Sequence, residues 1–273
     1  MTNLKMFCIS LESNHYQFIK KLGYIPVGLG EKIFDKNWFT DKSGISISQK
    51  NKHYGEYTYH YWLWKNYLDK LGDEWVGFCQ YRKFFSLEKY EAKDINFNSL
   101  NHQVLKIIPN EFEKYESILG VPIFINQFRS TKFIKKGLKF FVKRPLSIFS
   151  RKKRNINFHF DFMHGENNLN KAINFLDPEN QNDFRKFVNT KMSFNPHNMF
   201  ICKSKQKLKD YYEIVFPWLK KCESLFGFKE LHGFGKIRIY GFLAERFMSY
   251  WFQKNTKSIT MPIIFYDIRK DLN

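Results

Sequence analysis

Short, continuous apolar runs alternate with longer helical patterns along this chain, and this alternation constrains the fold more than any other feature. Three of the runs predict β-strands: LKMFCISL (4–11), WVGFCQ (75–80) and SILGVPIFI (117–125). Uninterrupted apolar runs are typical of strands buried on both faces between helices. From His53 to Tyr67, by contrast, Tyr57, Tyr61 and Trp64 recur at helical spacing. The sequence therefore predicts an α/β domain in which helices pack on a sheet.

The second half of the chain continues this alternation. Residues 166–190 predict two short helices separated near Asp177-Pro178, and residues 205–226 and 238–253 predict two longer helices. Two further strands are expected in NMFICK and KSITMPIIFYD. The 273 residues contain no internal repeat and no Gly/Ser-rich linker, and this length fits one large domain or two small ones.

The charge and the cysteines limit the class of protein. A formal net charge of +19 favours a nucleic acid, an anionic membrane surface or a phosphate-bearing substrate as partner. Four scattered cysteines without metal-type pairing suit reduced thiols in the cytosol. The first residues, MTNLKMFCISL, are too short and polar for a signal peptide. No apolar run approaches the roughly 18 residues of a membrane-spanning helix.

Much of the positive charge lies in one segment, residues 129–158. No acidic residue occurs between Glu116 and Asp161, and the segment interleaves lysines and arginines with phenylalanines and leucines. Basic amphipathic segments bind anionic lipid surfaces through apolar burial and charge attraction. We therefore expect 129–158 to be a basic amphipathic insertion that contacts an anionic membrane surface. A solvated loop and a nucleic-acid contact are the alternatives.

Standard phosphate and metal motifs are absent from the sequence. There is no P-loop, no dinucleotide-binding glycine pattern and no nucleophile elbow. A DxD pair is also missing, since Asp177-Pro178-Glu179 predicts a helix start. If the protein binds a diphosphate, arginine and lysine side chains must then neutralise it.

Two spacings nevertheless resemble metal-ligand sets. One set is His53, Glu56 and His60, which a continuous helix would place on the face opposite its aromatic stripe. The other is His159, Asp161 and His164. Each set offers three nitrogen and oxygen ligands. A polar helix face, aimed into a cleft in the case of 53–60, is the simpler interpretation.

Several motifs together carry a family resemblance: YIPVGLG (24–30), ISISQKNKHYGEYTYHYWLWKN (45–66), WVGFCQYRKFF (75–85), the region of His164, NMFICK (198–203) and IYGFLAERF (239–247). In this order they resemble the bacterial capsular and exopolysaccharide glycosyltransferase family that has been catalogued as a domain of unknown function. Two departures stand out: QYRK replaces the family's HYRR, and the basic insertion is longer than usual.

The resemblance implies a single GT-A-like domain over residues 1–273, with a Rossmann-like nucleotide-sugar-binding half and a mixed, mostly parallel sheet flanked by helices. Such a protein moves a sugar from a nucleotide sugar, with a UDP-hexose of the galactose type as first choice, to a glycan or lipid-linked acceptor. It would work in the cytoplasm, peripherally on the inner face of the membrane. The resemblance fixes no cofactor: it leaves open whether Mn²⁺ or Mg²⁺ takes part, since the chain has no DxD motif to hold the ion. A nucleic-acid-binding protein and a non-catalytic sugar-binding relative are the alternatives.

The resemblance also assigns candidate site residues. Arg82 and Lys83 are expected at the diphosphate, because ligands of open α/β sheets bind beyond the carboxyl ends of the strands. The full set expected to bind the donor is Gly28, Lys50, Asn51, Gln80, Tyr81, Arg82, Lys83, Asn198, Arg238 and Arg246. The candidates for the catalytic base are Glu56, His164 and Glu245. An internal ion pair with Arg238 or Arg246 is the structural alternative for Glu245.

Overall fold

A mixed, mostly parallel β-sheet forms the centre of the fold in the computed structural model, which describes residues 2–72, 74–88, 95–127 and 154–271. The strands are β1 Thr2–Ser10, β2 Ile25–Gly28, β3 Phe39–Thr40, β4 Trp75–Gln80, β5 Lys83–Phe85, β6 Ile107–Ile108, β7 Ser117–Gly120, β8 Ile123–Phe124, β9 Ser193–Phe194, β10 Phe200–Cys202, β11 Ser258–Met261 and β12 Ile263–Phe265. The main sheet has the order β11-β7-β10-β4-β1-β2-β3. A separate ribbon pairs β8 with β9.

The direction of the strands confirms the expected sheet type. β1 runs parallel to β2 and β4, β2 to β3, and β11 to β7. Along this path β10 is antiparallel to both of its neighbours. As a result, the carboxyl ends of β1, β2 and β4 and the amino end of β10 lie at the same edge of the sheet.

Helices cover both faces of the sheet. They are α1 Tyr16–Lys21, α2 Asn51–Tyr54, α3 Tyr57–Asn66, α4 Phe97–Gln103, α5 Ile156–His164, α6 Asn168–Ile173, α7 Pro178–Thr190, α8 Lys205–Phe226, α9 Phe234–Ile237 and α10 Ile239–Asn255. Alternate residues of β1 enter two different apolar cores: Phe7 and Ile9 pack with α3, α8 and α10, whereas Met6 and Cys8 pack on the other face. The α/β prediction with a sheet buried on both faces is confirmed.

The predicted helix over 53–67 is wrong in one respect, because Gly55 divides it into α2 and α3. Gly55 has φ +58°, a conformation that side-chain-bearing residues rarely adopt. His60 then faces the core rather than a polar surface, and its Nδ1 lies 2.8 Å from the Tyr212 hydroxyl. Burial lowers the pKa of His60 to about 3. The set His53, Glu56 and His60 therefore does not share one polar face.

Other boundaries also differ from those predicted. The run 117–125 is two strands, β7 and β8, and the run 257–267 is also two, β11 and β12. The helices predicted on either side of Asp177-Pro178 are present as α6 and α7, with the Asp177 side chain capping α7. All four cysteines are buried and free.

The basic insertion predicted over 129–158 lies mostly outside the described residues. Its end does not, since Ile156 and Phe158 belong to α5 and are buried in the domain. The insertion therefore ends before Ile156, and its expected contact with a membrane stays a prediction. Among the described residues, no helix is long and apolar enough to cross a bilayer.

Candidate active site

A cleft of about 270 Å³ lies at the edge where β1, β2 and β4 end and β10 begins. Open α/β sheets bind their ligands at this edge. Nine of the predicted site residues line the cleft: Asn51, Glu56, Gln80, Tyr81, Arg82, Lys83, Asn198, Arg238 and Glu245. The fold thus brings together residues from five separate parts of the sequence.

Gln80 connects two walls of the cleft. It is the last residue of β4, and its Nε2 donates to Glu56 Oε1 at 2.9 Å and to the His197 carbonyl at 3.0 Å. The buried strand β4 can end on the Gln80 amide because both N–H groups of that amide are hydrogen-bonded. The two residues after it turn the chain into β5, so the side chains of Arg82 and Lys83 face the cleft.

Glu56 accepts hydrogen bonds from three sides. Besides Gln80, it receives Asn198 Nδ2 at 3.3 Å and forms an ion pair with Arg238 at 2.9 Å. Gly55 makes this pair possible, since a Cβ at position 55 would lie 2.1 Å from Arg238 Nη2. Asn51 supports the same turn by donating to the Gly55 carbonyl at 3.0 Å. Glu56 is therefore engaged in positioning the cations and amides around it.

The turn before β10 contains a functional candidate that the sequence interpretation missed, His197. His197 and Asn198 both have positive φ, +77° and +53°. Such strain persists at sites where the surrounding contacts impose it, often functional ones. The His197 backbone N–H donates to Glu245 Oε1 at 2.5 Å, and Lys83 Nζ donates to His197 Nδ1 at 3.0 Å. The run Asn-Pro-His-Asn predicts a turn, a signal that was available in the sequence.

Burial and the cluster of cations set the protonation of this region. Burial, with Lys83 and Arg82 nearby, lowers the pKa of His197 to about 3. Burial also lowers the pKa of Lys83, although the Glu56 carboxylate opposes this shift. His197 is therefore neutral at pH 7, and its Nδ1 accepts the bond from the Lys83 ammonium.

Glu245 lies between the cleft and a second cavity of about 510 Å³. The second cavity is lined by Ile123, His159, Phe162, Met163, His164, Phe194, Pro196, His197, Phe234, Gly235, Phe242, Glu245 and Arg246. Glu245 pairs with Arg246, as the structural alternative expected, yet its side chain still lines both spaces. Arg246 is 2% exposed, and its guanidinium lies 4.1 Å from the centre of the Phe194 ring.

Four predicted residues lie away from the cleft. Gly28 packs beneath Phe34, whose ring occupies the place of a Cβ. Lys50 forms an ion pair with Glu223 in a separate groove. Arg246 and His164 line only the second cavity. His164 Nδ1 lies 2.8 Å from the Gly235 carbonyl, and burial followed by the Arg246 charge lowers the pKa of His164 well below its usual value.

The two acidic side chains of the cleft form ion pairs within the protein. Glu56 and Glu245 are already paired with Arg238 and Arg246. Over the described ranges, no group of three His, Cys, Asp or Glu residues could hold a metal ion. In the second predicted metal set, Asp161 Oδ1 accepts the backbone N–H of Asn167 at 2.9 Å. Cationic side chains are thus the groups in the cleft that fit a bound anion.

Comparison with solved structures supports the fold. A structure of WbbM, a bifunctional glycosyltransferase in its apo form, superposes with a TM-score of 0.67 and 19% sequence identity. The match covers 97% of this chain and 45% of the WbbM chain, so this chain spans less than half of that protein's length.

Sequence comparison identifies the family. No curated protein matches the chain. Residues 9–256 match the family described as "Domain of unknown function (DUF4422)". The matched residues include the parts of the fold that line the cleft: the carboxyl ends of β1, β2 and β4, the turn before β10 and the start of α10. The chain therefore belongs to the DUF4422 family.

Proposed function

We propose that this protein is a glycosyltransferase of GT-A type that moves a sugar from a nucleoside diphosphate to a glycan or lipid-linked glycan in surface-polysaccharide synthesis. The observation that carries the proposal is the grouping of three cations, Arg82, Lys83 and Arg238, with two carboxylates in one cleft. The cleft lies at the sheet edge where nucleotides bind in α/β folds. The similarity to the WbbM glycosyltransferase in fold supports the same activity.

The charges of the cleft suit a diphosphate leaving group. Arg238 is fixed by Glu56, whereas Arg82 is exposed and forms no ion pair with the described carboxylates at the cleft. Lys83 approaches the same space from the start of β5. Arginine binds phosphate oxygens through two parallel hydrogen bonds, and lysine acts as a point charge. We assign the diphosphate to Arg82 and Lys83, with a UDP-hexose as the first donor to test.

The proposed transfer requires a base near the acceptor. The acceptor oxygen bonds to the anomeric carbon of the donor sugar, the bond from that carbon to the phosphate oxygen breaks, and the diphosphate leaves with the electron pair. The acceptor proton passes to a carboxylate. Of the three candidates, Glu245 fits best because it lines both the cleft and the second cavity. Glu56 is engaged by Gln80, Asn198 and Arg238. Glu245 is engaged as well, by the His197 N–H and Arg246, so the choice between the two carboxylates rests on their positions.

A binding screen tests the proposal. Calorimetry or thermal shift is measured with UDP-, GDP-, CMP- and dTDP-sugars, each with Mn²⁺ or with EDTA, and with an oligonucleotide. We expect one nucleotide sugar to bind, and Arg82→Ala to weaken it by about tenfold or more, because a charge-assisted hydrogen bond contributes about 1.5–3 kcal/mol. Arg185→Ala is the matched control, since Arg185 lies on α7, outside the cleft, and donates a hydrogen bond to Asn174. Binding of the oligonucleotide and of no nucleotide sugar would refute the proposal.

Location at the inner face of the membrane is a separate part of the proposal. It rests on the sequence of 129–158, where cations and apolar side chains alternate. A variant lacking residues 130–155 should no longer float with anionic liposomes, while the full chain should. Equal flotation of the two proteins would contradict the assignment without affecting the proposed transferase activity.

A further inference from the structure

The second cavity and the cleft share part of their walls. Four residues line both spaces: His197, Phe234, Phe242 and Glu245. Arg82 and Lys83 line the cleft but not the second cavity. A ligand in the second cavity therefore reaches Glu245 without occupying the part of the cleft that carries the free positive charge.

Aromatic and other apolar side chains dominate the wall of the second cavity. Phe234 is 70% exposed at its border, and Met163 is 43% exposed. The Phe234 ring lies 5.8 Å from the ring of Phe242, which stacks in turn on His164 at 4.1 Å. Exposed apolar side chains next to a cavity are typical of a binding surface. The C–H face of a pyranose ring is apolar and packs against rings of this kind.

The polar groups of the cavity carry no uncompensated charge. Arg246 is paired with Glu245 and packed on Phe194. Burial and the nearby Arg246 lower the pKa of His159 to about 3, and they lower the pKa of His164 well below its usual value. Both rings are therefore neutral at pH 7, and Arg246 Nη2 lies 3.3 Å from His159 Nδ1 and 3.4 Å from His164 Nε2. Among the described residues that line this wall, none is an unpaired cation that a carboxylate or phosphate on a bound sugar could meet, so burial of that charge would be costly.

We propose that the second cavity binds the acceptor as a neutral hexose residue of a glycan, stacked on Phe234 with its reacting hydroxyl toward Glu245. The role of acceptor rests on the proposed transferase function, whereas the binding of a neutral hexose does not. Glu245 joins the two spaces, so a donor sugar in the cleft and an acceptor hydroxyl in the cavity meet at one carboxylate.

Saturation-transfer NMR at millimolar concentration measures the binding of four neutral methyl hexopyranosides, those of galactose, glucose, mannose and N-acetylglucosamine. Methyl galacturonoside and methyl glucuronoside are the charged counterparts. At least one neutral hexoside should bind more tightly than either uronide. Phe234→Ala should weaken it at least about threefold, the loss expected for one stacked ring. Met163→Ala should weaken binding of the hexoside and leave binding of the nucleotide sugar unchanged, because Met163 lines the second cavity and not the cleft.

Leu87→Ala is the control, since Leu87 is 52% exposed and lines neither space. No hexoside binding, tighter binding of the uronides, or unchanged binding in both Phe234→Ala and Met163→Ala would overturn the inference. The nucleotide-sugar screen separates the two proposals. If hexosides bind as described and no nucleotide sugar does, the cavity remains a hexose site and the transferase proposal fails. If a nucleotide sugar binds and no hexoside does, this inference alone fails.

Discussion

His197 connects the strained turn before β10 to the base candidate and to a cation of the cleft. Its backbone N–H holds Glu245, and its ring accepts the bond from Lys83. The positive φ at 197 is uncommon for residues other than glycine, although Asn and His adopt it more often than most. At this scale the protein accepts an unfavourable backbone conformation to place a neutral imidazole beside an ammonium group, an arrangement typical of functional sites.

The protonation of His197 leads to a prediction about pH. Its pKa in the folded protein, about 3, lies below the usual value of 6.5, so the unfolded chain binds a proton between these values and the folded chain does not. The contribution of His197 to stability is therefore present at pH 7 and is lost as the pH falls below about 6.5. His197→Asn keeps a residue that tolerates positive φ and removes the titrating ring. In urea unfolding, the wild type should lose more stability between pH 7 and pH 5 than this variant does.

Equal losses of stability for the two proteins over that interval would contradict the assignment of His197 as neutral in the folded protein. The other carboxylates and histidines titrate in both proteins, so the difference between them isolates position 197. His60 and His159 also have pKa values lowered to about 3, and they contribute equally to both measurements.

At the scale of elements, the break between α2 and α3 determines where Arg238 lies. Gly55 combines φ +58° with the closest approach of the guanidinium, whereas Gly227 has nearly the same φ, +57°, in open space. Alanine at either position incurs the strain of a positive φ, of order 1–3 kcal/mol. Only alanine at 55 also displaces Arg238.

Gly55→Ala should therefore lower the free energy of unfolding more than Gly227→Ala does, and it alone should weaken nucleotide-sugar binding. Urea unfolding and calorimetry on both variants measure the two effects. If the two variants lose equal stability and bind the donor equally well, the packing of Arg238 on Gly55 does not matter for the cleft.

The elements also show what the sequence can and cannot predict. The strands were recognisable because buried parallel strands are apolar throughout, and β4 has the predicted bounds, Trp75–Gln80. The division at Gly55 was not predicted because the aromatic spacing continues across it from Tyr54 to Tyr57. His60 was placed on a polar face because histidine counts as polar in a periodicity argument, whereas in the fold its Nδ1 bonds to Tyr212 in the core.

At the scale of the whole molecule, the sequence predicted the edge of the sheet that carries the cleft better than it predicted the contacts inside it. Residues at strand ends and in α10 do line the cleft, since topology brings these ends together. Gly28 and Lys50 belong to matched motifs and yet pack elsewhere, because a motif records a shared sequence and not one shared role. His197 was missed because its role depends on backbone conformation, which residue type does not determine.

The central claim is that Glu245 removes the proton of an acceptor hydroxyl at the junction of the two spaces. The most direct test measures release of the free nucleoside diphosphate from the nucleotide sugar that binds, with a neutral glycan acceptor present, for the wild type, Glu245→Gln and the exposed control Glu213→Gln. We predict that Glu245→Gln binds the donor as the wild type does but releases the diphosphate about 10²–10⁴ times more slowly. The control should match the wild type. Equal rates for the wild type and Glu245→Gln, or no release by a wild type that binds the donor, would contradict the account.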